Sequence, residues 1–326
     1  TRDQSSKKTL ISVIDKTHTP MGSRLIRKWL KEPLRKVNTV NQRLDAVEWM
    51  KQNTLERTEL TILLKGILDI ERLISRINYG NANSRDLIAL RKSLEPIEKM
   101  KALFPSVGLL DDTKKMPAIN DIVDLIARAI TDEPPLSIRE GGMIRREYDT
   151  ELDKLRDIQK NGKKIIAELE EKERTATGIK NLHVRFNNVF GYFIEVSKSN
   201  LDKVPSQYIR RQTTANGERY IIPELKEQED LILNAEERIA TKEFELFQSL
   251  CKIIIEKTVI IQQVAHHVAV LDVLCSFGTV AAASRYIRPI IDESSLIEIK
   301  NGRHPVIEQT EHNFVLSITT TPKISK

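Results

Sequence analysis

Apolar residues recur at steps of three and four along most of the chain, and at steps of two in one short internal stretch. Leu25, Ile26, Trp29 and Leu30 keep the helical period, as do Leu63, Leu64, Ile67, Ile70, Leu73, Ile74 and Ile77, and then Leu87, Leu90, Leu94 and Ile97. Thr19 before Pro20 predicts a capped helix start, and Pro33 predicts its end. Leu44, Val47, Glu48 and Met50 predict a further helix, and Asp121 to Ile130 another before Pro134 and Pro135. These segments predict a helix bundle.

After Gly141 and Gly142 the pattern becomes heptad-like. Tyr148, Leu152, Leu155, Gln159, Gly162, Ile166 and Leu169 form one seam, with Gly162 expected as a tolerated defect or a bend. From Pro223 a second seam places Leu225, Ile232, Ile239, Leu246, Ile253 and Ile260 at every seventh position. Each helix would be roughly 45 Å long at about 1.5 Å per residue. Antiparallel pairing buries both seams and puts whatever lies between them at the far tip.

The stretch between them, 176–222, changes period to two. Apolar positions in Leu182 to Phe186 alternate with His183 and Arg185; Tyr192, Ile194 and Val196 alternate with Phe193 and Glu195. Asn187, Asn188 and Gly191 supply the turn between these strands. Asn216-Gly217 predicts a hairpin turn with positive φ at both residues, joining RRQTT to ERYII. So small a β unit needs the helical arm for support.

The expected fold is therefore mainly α, a helical bundle with a long antiparallel two-helix arm and a small β insertion at its tip. The divisions are 1–142 for a helical core, 143–175 for the outgoing helix and 176–222 for the β-rich insertion. The returning helix and further core take 223–290. Ser294 to Glu308, with IEIK, NGRHP and VIEQ, predicts entry strands of an incomplete domain over 291–326. The polar opening TRDQSSKKTL and the closing FVLSITTTPKISK give the expectation of a piece of a longer chain.

Composition agrees with helices. Only 5% of residues are aromatic and 30% are charged, while 40% hydrophobic content excludes a disordered chain. Cys251 and Cys275 are too far apart for metal-ligand spacing and are expected to be reduced thiols of an intracellular protein. There is no signal-peptide pattern, and no uninterrupted apolar run nears the roughly 18 residues of a membrane span. No membrane is expected, and the expected location is cytoplasmic.

Charge changes the picture more. The net charge is +6, and the insertion holds Lys180, Arg185, Lys198, Lys203, Arg210, Arg211 and Arg219 against Glu195, Asp202 and Glu218, so seven minus three gives +4. A positive tip on a rigid arm suits phosphates. Asn187, Asn188, Gln212, Thr213 and Asn216 add neutral donors of the kind that bond phosphate oxygens. The competing reading is that these charges only blunt edge strands against aggregation. No aromatic stripe suits single-strand stacking.

Catalytic candidates fall away. Gly162-Lys163-Lys164 lacks the strand and glycine of a phosphate-binding loop, adjacent His266 and His267 face different sides of a helix, and His304 is expected to pack locally. No nucleophile–base pairing emerges, so the chain is expected to be no enzyme and to hold no cofactor or metal. A coiled-coil scaffold whose insertion docks a protein partner is the alternative.

The stretches TLISVIDKTHTPMGSRLIRKWLKEPL, RLDAVEWM, DIERLISRI, FNNVFGYFIEVSK, RRQTTANGERYIIPELKE and NGRHPVIEQ resemble the MutS family of DNA mismatch repair proteins. The resemblance implies a core (lever) domain, a clamp and the first strands of an ATPase domain, with mismatch-reading and connector domains before Thr1. It implies a homodimer or family heterodimer around double-stranded, mismatched DNA, and ATP with Mg in the ATPase domain beyond Lys326. The NFVLSITTTP stretch matches only loosely. Backbone contacts carry over to Arg185, Asn187, Asn188 and the Arg210–Asn216 hairpin, which contains Arg211, Gln212 and Thr213. Lys198 joins them on charge. A recombination-type member of the family is the alternative within it, and nucleoid association is the implied location.

Overall fold

The computed structural model describes residues 9–135, 141–187, 189–294 and 296–309. It divides into two compact units: residues up to 127 together with those from 251, and Arg128–Leu250.

The first unit is all helical around Thr258–Ala283, which packs against Pro20–Lys31, Val37–Gln52, Thr54–Lys65 and Ile70–Asn78. Thr19 caps the first of these five helices in sequence, the one beginning at Pro20, by accepting from Gly22 N–H at 3.0 Å. Asp272, fully buried in the central helix, accepts from Thr19 Oγ1 at 2.7 Å and from the His18 and Thr19 N–H groups at 2.9 and 2.8 Å. Burial raises the Asp272 pKa, against the hydrogen bonds that lower it. Gly278 lets the central helix approach Val37–Gln52, since a Cβ there would lie 2.5 Å from Met50 Cβ.

Thr258–Ala283 is also long and apolar enough to cross a membrane, although no uninterrupted apolar run reveals it. Its polar residues, among them Gln262, Gln263, His266 and His267, break the run while its mean hydropathy stays high. Of its most apolar window 72% is buried inside the structure, as in the core helix of a bundle. Beyond it, the expected strands near Ser294 are not formed among the described residues to 309, where Ile297 and Ile299 are exposed. A strand needs a neighbour to complete its ladder. The remainder of the expected domain, to residue 326, lies outside the described residues.

In the second unit the outgoing helix Thr150–Thr177 is capped by Asp149, which accepts from Leu152 N–H at 2.8 Å, and stops at Gly178 with φ 67°. The returning helix is Pro223–Glu256. Lys242 meets Glu151 at 2.6 Å, Gln159 meets Glu236 at 2.8 Å and Lys172 meets Glu224 at 3.2 Å, so the pair is antiparallel. Its root is tied by Glu243, fully buried, which accepts from the Gly142 and Met143 N–H groups at 2.9 and 2.8 Å and from Arg156 at 2.6 Å.

Two expectations about the seam change. Gly162 is no defect: it is buried against Ile232, and its missing side chain sets how closely the helices approach. The strict sevenfold repeat holds for Leu225, Ile232 and Ile239, but Phe247 is then buried in place of the half-buried Leu246. An ordinary α-helix drifts about 20° per heptad, so a long straight seam moves on by one residue.

Candidate nucleic-acid interface

The insertion forms one antiparallel sheet of β1 (His183–Asn187), β2 (Gly191–Ser197), β3 (Ile209–Thr213) and β4 (Gly217–Ile221), in the order β1-β2-β4-β3. Ile194 and Val196 of β2, with Tyr220 of β4, turn inward and join Ile166, Leu169, Leu225 and Ile232 of the two helices in a single hydrophobic cluster. Sheet and arm thus share a core, as the small size of the insertion requires.

Three carboxylates, two of them buried, fasten the β insertion to the arm. Glu229 of the returning helix accepts from Tyr192 N–H at 2.7 Å and pairs with Lys226. Gly191, at φ 71°, leaves room for that carboxylate, which any Cβ would strike. Glu173 accepts from Tyr208 OH at 2.6 Å, and Glu170 accepts from Val184 N–H at 2.8 Å. Burial, then the bond to Glu173, pushes the Tyr208 pKa up. Sequence periodicity gave no hint of these anchors, because a glutamate on a helix reads as solvated.

The β3–β4 connection differs from expectation. Neither Asn216 nor Gly217 has positive φ. Thr214 closes the turn instead, its N–H donating to Gly217 O at 2.8 Å while its hydroxyl accepts from Gly217 N–H at 3.2 Å. Gly217 is a strand residue lying against the β2 backbone at Val196, where a Cβ has no space. Its lack of a side chain serves close approach and not the turn.

The nine candidate residues do not form one cluster. Lys198, Thr213 and Asn216 share one end of the sheet, where Lys198 N–H donates to Asn216 O at 3.2 Å. Asn187 lies at the other end, about 20 Å away along β2 at roughly 3.3 Å per residue. Its Oδ1 accepts from the Val189 and Phe190 N–H groups at 3.0 and 2.7 Å, so its carbonyl shapes the turn. Asn188 lies outside the described residues. Val189, beside it, is 82% exposed, an apolar tip that the search for cations passed over.

Between the ends, three arginines are occupied. Arg185 pairs with Glu195 at 3.0 Å and Arg210 with Glu218 at 3.3 Å. Arg219 stacks 4.5 Å over the Phe193 ring, donates to Gln212 Oε1 at 2.7 Å and lies 3.9 Å from Glu195. Gln212 is therefore committed within the sheet. Glu218 also accepts from Tyr220 OH at 2.6 Å; this bond, above all, lowers the Glu218 pKa against the opposing effect of burial, with a lesser contribution from the charge of Arg210. Arg211 sits at a register shift between Arg210 and Gln212, a bulge that re-aims its side chain outward. Among the described residues, Lys180, Lys198, Lys203 and Arg211 are exposed cations with no ion-pair partner.

Elsewhere, no group of three or more His, Cys, Asp or Glu residues suited to a metal occurs among the described residues. Cys251 and Cys275 are free thiols, and burial raises both pKa values, Cys251 to about 11. His304 Nδ1 accepts from the Val306 and Ile307 N–H groups at 3.3 Å, a local turn contact.

Residues 1–278 match the family model for MutS domain III. A DNA mismatch repair protein MutS from Caldanaerobacter subterraneus subsp. tengcongensis is 45% identical over 318 residues, covering 96% of this chain and 37% of that protein. The MutS protein of Pelotomaculum thermopropionicum is 46% identical over 311 residues, covering 94% and 36%. That of Geobacillus kaustophilus is 45% identical over 312 residues, covering 94% and 35%. The chain thus spans little more than a third of the length of these relatives.

Proposed function

Since this chain belongs to the MutS family, we propose that it is the lever and clamp portion of a mismatch repair protein, gripping duplex DNA by its backbone. The observation that carries the reading is the set of four exposed cations without an ion-pair partner, Lys180, Lys198, Lys203 and Arg211, on a small β insertion anchored to a helical pair. Phosphate contacts of this kind position a protein without reading sequence. Thr213 and Asn216 stand beside Lys198 as neutral donors at the far end of the sheet.

On this reading the chain is no enzyme by itself. The longer protein would bind ATP with Mg in a separate ATPase domain, assemble as a homodimer or family heterodimer, and act on mismatched duplex in the cytoplasm at the nucleoid. The helical pair would carry position between DNA and that domain. The divisions into core, outgoing helix, clamp and returning helix belong to the same proposal.

The test is duplex binding by the chain across a salt series. Expected is weak, sequence-independent binding whose logarithm falls with log salt at about 0.9 per phosphate contacted. Reversing charge at Lys198 and Arg211 to Glu abolishes it. Salt-dependent binding that survives those changes refutes the assignment to this sheet. Capture of an acidic protein with no duplex binding at low salt would favour the scaffold reading.

A further inference from the structure

We infer that Glu195 and Glu218 are built-in counter-charges that occupy Arg185, Arg219 and Arg210 in place of phosphate, and so limit how tightly the sheet holds DNA. This rests on the backbone-gripping reading above and goes beyond it, because it assigns a role to the acids of the sheet.

Seven basic residues in the insertion overstate its available charge. Three of them, all within the strands, face carboxylates: Arg185 and Arg219 share Glu195, and Arg210 takes Glu218. The pairs are of a kind that exchanges easily. The side chains of Arg185 and Arg210 are 62% and 63% exposed, and an ion pair so open to water is weak. Arg219 is incompletely served: its Nε is buried with no hydrogen-bond partner, and Glu195 is 3.9 Å away. An incoming phosphate offers the bidentate, charge-assisted bonds that a guanidinium favours. Arg185 and Arg210, both open to water, are thus prepositioned for an anion but already share one, whereas Arg219 is largely covered and only its outer face can exchange.

The carboxylates hold shape as well as charge. Glu218 accepts from Tyr220 OH and, at 3.4 Å, from Thr213 Oγ1. Glutamine keeps the size and one acceptor oxygen at either position, with an NH2 in place of the second oxygen that the Tyr220 hydroxyl can turn to accept from at 218, so Glu195→Gln and Glu218→Gln remove the charge at the least cost in shape.

Anisotropy of a short fluorescent homoduplex, titrated with the chain across a KCl series, reads the outcome. Each glutamine variant is expected to bind about 3- to 10-fold tighter at low salt, with a salt slope steeper by up to about 0.9 per arginine released. Arg185→Gln alone is expected to weaken binding by less than about three-fold, because it loses no phosphate contact and leaves Glu195 beside Arg219, so that only a salt-screened charge is removed. In the Glu195→Gln background the same change removes the gain. Unchanged or weaker binding by a glutamine variant whose unfolding midpoint is intact overturns the inference. Should that variant fail to fold, a roughly ten-fold loss on Arg185→Gln alone overturns it equally, because it means that Arg185 already grips phosphate. Lys198→Gln combined with Arg211→Gln distinguishes the two layers. If that pair leaves binding unchanged, the gripping reading itself fails. If it weakens binding while both glutamine variants do nothing, only the counter-charge inference fails.

Discussion

Ile232 fills the place a side chain on Gly162 would take: a Cβ added to Gly162 would lie 2.6 Å from Ile232 Cγ1. Alanine at 162 gains about 1 kcal/mol of helix propensity but overpacks a seam, where insertion costs about 1–3 kcal/mol. Gly162→Ala is therefore expected to destabilise the chain on balance. Ile232→Val in that background should recover part of the loss. Denaturant midpoints of the two single variants and the double variant decide it; additive effects would mean the two residues do not press on each other.

Glu243 faces a harder substitution. Three backbone donors, from Gly142, Met143 and Ile144, and Arg156 converge on this fully buried carboxylate. Glu243→Ala leaves a partly buried guanidinium and buried N–H groups without an acceptor, and should cost roughly 3–5 kcal/mol in urea unfolding. A cost below about 1 kcal/mol would show that the root of the arm does not depend on this carboxylate.

At Gly191 two demands coincide, a left-handed backbone and the nearness of Glu229. Gly191→Ala should expel the carboxylate and release the Tyr192 amide. Amide hydrogen exchange at Tyr192 is expected to speed up strongly, while the amides of Thr258–Ala283 keep their protection. Unchanged exchange at Tyr192 would remove Glu229 as an anchor.

Tyr220 gives a pH signature. Burial, then the bond to Glu218, raises its pKa to about 12. A raised folded value means that this contribution to stability is full below the ordinary tyrosine pKa of about 10 and is lost as pH climbs through about 12. Tyrosinate absorbance of Tyr220→Phe should lack one late-ionising group found in the parent, and its stability should depend less on pH above about 10. Loss of a group that ionises at the ordinary value would contradict this.

Much of the fold was legible because burial follows period. Thr19-Pro20 capped a helix, Pro223 began the returning helix, and the alternation about Tyr192 to Val196 was a strand. Three things escaped. The seam slid because a straight helix has 3.6 residues per turn and not 3.5, so Phe247 replaced Leu246. Gly162 and Gly217 looked like a defect and a turn, whereas what surrounds each glycine in space decides its role. For the candidate interface, counting charges singled out a segment but not which of its charges are spent, since Arg185 meets Glu195 only through strand pairing.

The single hydrophobic cluster joining the sheet to both helices bears on how this piece can be handled by an engineer or by evolution. Neither half is a graft. Cutting out residues 178–222 and closing the gap would strip cover from Ile166, Leu169, Leu225 and Ile232, and moving the sheet alone would leave Ile194 and Tyr220 against water. A segment that keeps this interior whole must carry the sheet together with the stretches of both helices that cover it, as the compact unit Arg128–Leu250 does.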